Sequence, residues 1–343
     1  MIGSIQTSVG PVPQVTSALL WADRFGTFKA RWEIGRMHYT IDPGLYALGE
    51  PDEKSPVLVT ANYKMSFDKL RETLPGRNAW ILVLDTKGIN VWCAAGKGTF
   101  GTTELVSRIE SNGLARIVSH RELILPQLSG PGVAAHGVKK LSGFKVVYGP
   151  IRSKDLAPFL DSGFKATQEM RLKTFTTLER IVLIPIELVS AMKVGLIIIP
   201  ILFLLAYFGR AEEGWTNALN HGLFSVWAIL MAILAGAVLT PLLLPWLPGR
   251  AFSIKGLIPG FLTAAILLAF RWGDWMTRTG RLEITAWFFL IPALSAYLAM
   301  NFTGASTYTS LSGVKKEMRW ALPFQIGAGI IGVILWFGAQ FIL

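Results

Sequence analysis

Cysteine is nearly absent: Cys93 is the only one in 343 residues. One thiol excludes an intramolecular disulfide. It also excludes a zinc site built by this chain from four cysteines or from two cysteines and two histidines, and an iron–sulfur cluster held by this chain alone. Acidic residues are outnumbered, 22 against 33 lysines and arginines, for a formal net charge of +11. That excess is not gathered into a basic stripe with interleaved aromatics, so no nucleic-acid partner is expected. Met1 to Leu20 lack a basic region followed by a long apolar core, the pattern of a signal peptide. The soluble part is therefore expected in the cytoplasm, where a thiol stays reduced. Gly96-Lys97-Gly98-Thr99 lacks the glycine spacing of a phosphate loop.

What is abundant is apolar, and it lies mostly beyond about Arg180. Runs of about 20 apolar residues read as membrane-spanning helices. Five are expected, at about 188–208, 219–240, 254–272, 284–302 and 321–343. Pro200, Pro241, Pro259 and Pro292 fall in or beside them, which membrane helices tolerate. Ala235, Gly236 and Ala237, and Gly327, Gly329 and Gly332, would allow close helix packing. Glu187, Lys193 and His221 sit near span ends and read as interfacial. No row of carboxylates argues for an ion-coupled transporter. Loop charge places Arg250, Lys255, Lys315, Lys316 and Arg319 inside and Arg210, Arg271, Arg278 and Arg281 outside. With the basic flank Arg171, Lys173 and Arg180, this favours a multi-pass protein of the cytoplasmic (inner) membrane, its N-terminal part cytoplasmic and Leu343 outside. The Ser/Thr-rich stretch 301–312 is either a docking surface or a plain polar connection.

The first half alternates strand and helix patterns. Residues 56–60 and 79–84 read as buried strands, 65–73 as a helix, and 102–112 as a helix capped by Thr102 or Thr103 and ended by Gly113. A strand is expected at 115–118, a helix at 133–141, a strand at 144–148 and a helix at 153–160 capped by Ser153. This is an α/β domain with a mostly parallel sheet covered on both faces. Residues 1–50 are weakly patterned; the aromatic and basic stretch 21–46 reads as a packing arm or hairpin-like cover. The expected organisation is an arm at 1–50, the α/β domain at 51–165, a charged linker at 166–187 and the membrane domain at 188–343.

Cys93 follows the strand 79–84 and the turn Asp85-Thr86-Lys87-Gly88, in a strand-to-helix connection. That is the usual place for a ligand crevice in an α/β sheet. Gly96 and Gly98 would let a large flat ligand approach the backbone, and Lys97, one turn on, would favour a thiolate. A nucleophilic cysteine enzyme would need a base, for which His38, His120 and His136 are the candidates.

NVWCAAGK at 90–97 resembles the signature of the HgcA family, the membrane corrinoid proteins of microbial mercury methylation. LPQLSGPGVAAHGV at 125–138 and GFKVVYGP at 143–150 are similar to the corrinoid-binding domain of the corrinoid iron–sulfur protein of the acetyl-CoA pathway. The resemblance covers roughly residues 50–165 and implies a Rossmann-like domain holding a cobamide (cobalamin-type corrinoid) base-off. By position, Cys93 would be the lower axial cobalt ligand and catalytic residue. Asn90, Val91, Trp92, Ala94 and Ala95 would form a cap helix continued by Gly96, Lys97 and Gly98. Thr60, Ser119, His120, Gln127, Gly130, Tyr148, Gly149 and Pro150 would line the corrin and its tail. The common Asp-x-His-x-x-Gly cobalamin signature is absent, in keeping with a mode that uses no protein histidine on cobalt. The implied reaction is methyl transfer from methyl–cobalt(III) to Hg(II), giving methylmercury. The implied partners are a methyltetrahydrofolate-dependent methyl donor and a small ferredoxin with two 4Fe–4S clusters, HgcB, as electron donor and mercury carrier. A membrane-attached methyl carrier of the acetyl-CoA pathway, a corrinoid or mercury transporter, and Cys93 as the mercury ligand stand as alternatives.

Overall fold

The computed structural model describes residues 1–209, 214–305 and 311–341. Arg210, Leu343 and residues 306–310 of the Ser/Thr-rich stretch lie outside the described residues. The chain divides into two units, Met1–Lys173 and Thr174–Leu343.

Unit one is built on a seven-stranded sheet. Its strands are β1 (Gly3–Thr7), β2 (Gly10–Val15), β3 (Gly44–Leu48), β4 (Val57–Ala61), β5 (Ala79–Leu84), β6 (Glu122–Leu125) and β7 (Lys145–Tyr148). They lie in the order β1-β2-β3-β5-β4-β6-β7. β5, β4, β6 and β7 run parallel, whereas β3 pairs antiparallel with β5 and β1 antiparallel with β2. The sheet is thus mixed rather than mostly parallel along its whole width. Residues 1–50 are not an arm laid on the domain: they supply three strands of the same sheet. Pro11 and Pro13 suit only a strand near an edge, and they break the alternation by which strands are recognised.

Side chains alternate across the parallel strands. Val57, Val59, Trp80, Leu82 and Leu123 face one core, with α4 (Thr102–Ser111), α5 (Leu114–Ile117) and α6 (Ala135–Ser142). Leu58, Ile81, Val83 and Ile124 face the other, with α2 (Lys64–Glu72) and α7 (Leu156–Asp161). The expected strand at 115–118 is instead the short helix α5. Gly113, at φ +55°, starts a new turn, and Leu114 and Ile117 bury on one helical face three residues apart. The strand is β6, seven residues further on. Thr102 does not cap α4; its Oγ1 accepts from the Ala134 amide at 2.8 Å, tying down the loop before α6. Ser153 opens a 3-10 turn rather than an α-helix.

The stretch expected as a hairpin-like cover forms α1 (Trp21–Arg31). Asp23 fixes it to the domain, with Lys64 Nζ at 2.6 Å and Arg71 Nη2 at 2.8 Å, and both cations also meet Asp68. Burial alone would raise the Asp23 carboxyl. The bonds from Lys64, the Leu20 amide and Arg71 outweigh it and hold the pKa at about 2, against an ordinary 3.8. A depressed acid stabilises the fold above its unfolded pKa and loses that contribution as pH falls through the folded one. Hydrogen-exchange protection of residues 21–31 should therefore fall between about pH 4 and pH 2. Protection that stays flat across that window would show that the carboxylate does not hold α1.

Among the described residues, unit two contains five helices long and apolar enough to cross a membrane: Thr177–Gly209, Gly214–Leu243, Phe252–Ala269, Arg278–Asn301 and Ser312–Phe341. The first begins at Thr177, inside the stretch expected as a linker, because Thr176 and Glu179 form a reciprocal cap there. Small residues bring these helices together. A Cβ on Gly236 would meet Ser295 O at 2.6 Å, and one on Gly256 the Ala299 Cβ at 2.5 Å. Gly332 packs on Leu290, whereas Gly327 and Gly329 face open space and do not serve as contacts. His221 is not simply interfacial: its Nδ1 lies 2.5 Å from Glu283 Oε2, and Arg271 Nη2 lies 3.3 Å from the same oxygen. The cluster joins two helices and the turn after Phe252–Ala269 through one buried carboxylate.

Candidate functional site at the carboxyl ends of the parallel strands

Between β4 and β6 the strand order reverses direction, the point where open α/β sheets form a crevice beyond the strand carboxyl ends. A cavity of about 210 Å³ lies there, lined by Thr60 of β4, Leu125 at the end of β6, and Gly149 and Pro150 after β7, together with Val91. Val91 belongs to α3 (Val91–Lys97), the helix that carries Cys93.

α3 is short because its two ends are both fixed. Asn90 caps it, its Oδ1 accepting from the Cys93 amide at 2.9 Å. Gly98 stops it in the left-handed region at φ +83°. Ala94 and Ala95 are buried in the core. The opposite face, Trp92, Cys93, Gly96 and Lys97, is exposed. Gly96 falls between Trp92 and Cys93 on that face, and a Cβ there would meet nothing within 4 Å. Its missing side chain leaves bare backbone beside the thiol. Beneath the helix, Gly132 permits close packing: a Cβ on it would meet Ala95 Cα at 2.9 Å.

The turn into α3 is held from β4 by a clamp that only the fold reveals. Asn62 Oδ1 accepts from the Thr86 amide at 3.0 Å, the Thr86 hydroxyl at 2.8 Å and the Gly88 amide at 3.1 Å. Thr86 is fully buried, and its hydroxyl also lies 2.7 Å from Ile89 O. Asp85 ion-pairs with Lys87, which holds its carboxyl below the usual carboxylate range. Arg171 reaches in from the other side, donating to Gln127 Oε1 at 2.8 Å and to Tyr148 O at 3.1 Å. The Tyr148 hydroxyl donates to Val133 O at 2.6 Å, and burial pushes its pKa up.

Thr60, Gln127, Gly130, Tyr148, Gly149 and Pro150 therefore gather at the same end of the sheet as α3. Ser119 and His120 do not. They precede β6 and lie at the opposite end, lining a separate cavity with Lys54, Pro56 and Arg77. His120 Nδ1 accepts from the Glu122 amide and its Nε2 meets Ser55 O at 3.0 Å, so both ring nitrogens hold loops together. His38 and His136 are exposed, and no histidine is hydrogen-bonded to Cys93 among the described residues.

Cys93 is a donor that could hold a metal carried by a cofactor. Among the described residues no group of three or more His, Cys, Asp or Glu side chains could hold a metal ion, and Cys93 is a lone soft donor. The cavity is smaller than the few hundred Å³ of a whole-cofactor site, which suits an appended group of a larger molecule. The bare Gly96 surface beside the thiol suits a flat one.

A family model described as the CO dehydrogenase/acetyl-CoA synthase delta subunit matches residues 35–160. An acetyl-CoA decarbonylase/synthase complex subunit gamma of Methanopyrus kandleri is 35% identical over 124 residues, 35% of this chain and 26% of the relative. The protein of the same name from Methanocaldococcus jannaschii is 32% identical over 144 residues, 41% and 29% of the two chains. The match is to one domain. This chain spans little more than a quarter of the length of those relatives, and the family model's match ends at residue 160, before the first apolar helix. The α/β unit is thus similar to subunits of acetyl-CoA complexes, the direction in which residues 125–138 and 143–150 pointed.

Proposed function

We propose that this chain is a membrane-attached corrinoid protein that transfers a methyl group to inorganic Hg(II), giving methylmercury, with the Cys93 thiolate as lower axial ligand of cobalt. One observation carries the reading: an exposed thiol on a short, doubly fixed helix at the mouth of the switch-point cavity, with bare backbone at Gly96 beside it. When bound, the corrinoid supplies a cobalt that takes up a methyl group and gives it to an acceptor. Cys93 sets the direction of that gift. A thiolate pushes electron density onto the metal it ligates. As a ligand to the corrinoid's metal, Cys93 would therefore suit an acceptor that is an electrophile, such as Hg(II). Asn90 and the Asn62–Thr86 clamp hold the helix that carries the thiol in place. Thr60, Gln127, Tyr148, Gly149 and Pro150 would receive the cofactor's edge and tail. Reducing equivalents come from a partner, since one cysteine cannot build a cluster; the small ferredoxin HgcB is the partner that the NVWCAAGK resemblance implies.

The printed names of the relatives favour a second reading, a methyl carrier that serves acetyl-CoA synthesis. The acceptor decides between them. The full-length protein, loaded with cobalamin, reduced and methylated, is offered Hg(II) in one reaction and acetyl-CoA synthase with CO and coenzyme A in another. Methylmercury in the first supports the proposal. Acetyl-CoA without methylmercury replaces it with the second reading.

A further inference from the structure

Helix α1 is amphipathic the wrong way round for a globular domain. Its domain side is small and polar: Gly26 and Ala30 are buried and Asp23 sits in the Lys64–Asp68–Arg71 network. Gly26 packs so closely that a Cβ there would meet the Tyr39 ring at 2.6 Å. The other side is a continuous aromatic ladder. Trp21 stacks on Phe25 at 5.7 Å between centroids, Phe25 on Phe28 at 6.4 Å, and Phe28 lies 6.1 Å from Trp32. Trp21 is 77% exposed and Phe28 53%. A surface helix ordinarily turns such a stripe to the core. Here the core side is already filled, and the anchoring of Asp23 leaves the ladder facing outward.

We infer that this aromatic face is a membrane-docking surface, seated in the headgroup region of a bilayer carrying anionic lipid. The chemistry is that of an interfacial helix, with tryptophan and phenylalanine on one face and cations flanking them. The exposed charges beside the ladder are Arg24 and Lys29, both positive, and Lys29 Nζ lies 5.5 Å over the Phe25 ring. A bilayer is at hand, because the same chain carries five helices of membrane-spanning length and composition. Tethering turns docking into an intramolecular event at high effective concentration, so a single short helix suffices. The segment after α1 packs on the turn that leads to α3: a Cβ on Gly88 would meet Met37 O at 3.1 Å. Docking would thus act on the same end of the sheet as the thiol. The inference rests on the membrane reading of unit two and is independent of the methyl acceptor.

The test uses the full-length chain in lipid nanodiscs. Cys93→Ser removes the native thiol, and Phe28→Cys carries a nitroxide at one exposed rung of the ladder. Power-saturation spectra are recorded with oxygen and with a water-soluble nickel chelate, in discs with and without phosphatidylglycerol. Docking predicts a label reached by oxygen and shielded from nickel, with shielding stronger in anionic discs and weakened by Arg24→Glu with Lys29→Glu. A label open to nickel in both lipids overturns the inference, since the face then lies in water. A label shielded from both relaxants also overturns it, since protein rather than lipid then covers the ladder.

Discussion

Cys93→Ala should keep its corrinoid and lose methyl transfer. The thiol is exposed, and its residue contributes to the fold only a backbone amide bonded to Asn90. Alanine preserves that bond, so stability should stay within about 0.5 kcal/mol of wild type. The cavity walls and the Asn62–Thr86 clamp are untouched. Visible absorption and electron paramagnetic resonance spectra of the cobalamin-loaded proteins should differ, with wild type showing a sulfur-ligated, base-off cobalt that the variant lacks. Methylmercury formation should drop by more than about 100-fold, beyond what loss of an outer-shell partner costs a metal site. Identical spectra with lost activity would move Cys93 from cobalt to mercury. Unchanged activity would remove the thiol from the mechanism.

The parts of this site that could be read along the chain are the local ones. The run Ala79–Leu84 is continuously apolar because both faces of β5 are covered, and Asn90 and Gly98 flank the short helix that carries Cys93 as its cap and stop. The long apolar helices were legible for the same reason: length and composition are local properties. The clamp was not, because Asn62 and Thr86 are 24 residues apart and meet only when β4 pairs with β5. Ser119 and His120, placed on the corrin by the resemblance, precede the amino end of Glu122–Leu125 and so lie at the opposite end of the sheet. α1 defeated pattern reading differently. Its aromatic periodicity is genuine, but the direction of burial is set by the Asp23 ion pairs, whose partners lie over 40 residues away.

Gly96→Leu should separate fold from cofactor more sharply than any other change in α3, because its two effects have opposite signs. A Cβ at Gly96 meets nothing within 4 Å, so a larger side chain enters open space. Leucine is also a better helix former than glycine by roughly 0.5–1 kcal/mol. The corrinoid-free protein should therefore melt at the same temperature as wild type or a few degrees higher, a shift of about 2–4 °C per kcal/mol for a domain of this size. Cobalamin affinity should fall at least about tenfold, equivalent to losing about 1.4 kcal/mol of contact, because the side chain occupies the bare surface between Trp92 and Cys93. The neighbouring glycines cannot make this distinction. Gly98 sits at φ +83°, and a Cβ on Gly132 would drive into Phe100 and Ala95, so substitution at either damages the helix itself. Isothermal titration of cobalamin beside a thermal melt reads both quantities on one preparation. Full affinity in a stabilised Gly96→Leu protein would mean that no flat group rests on α3, and the axial-thiolate reading would fall with it.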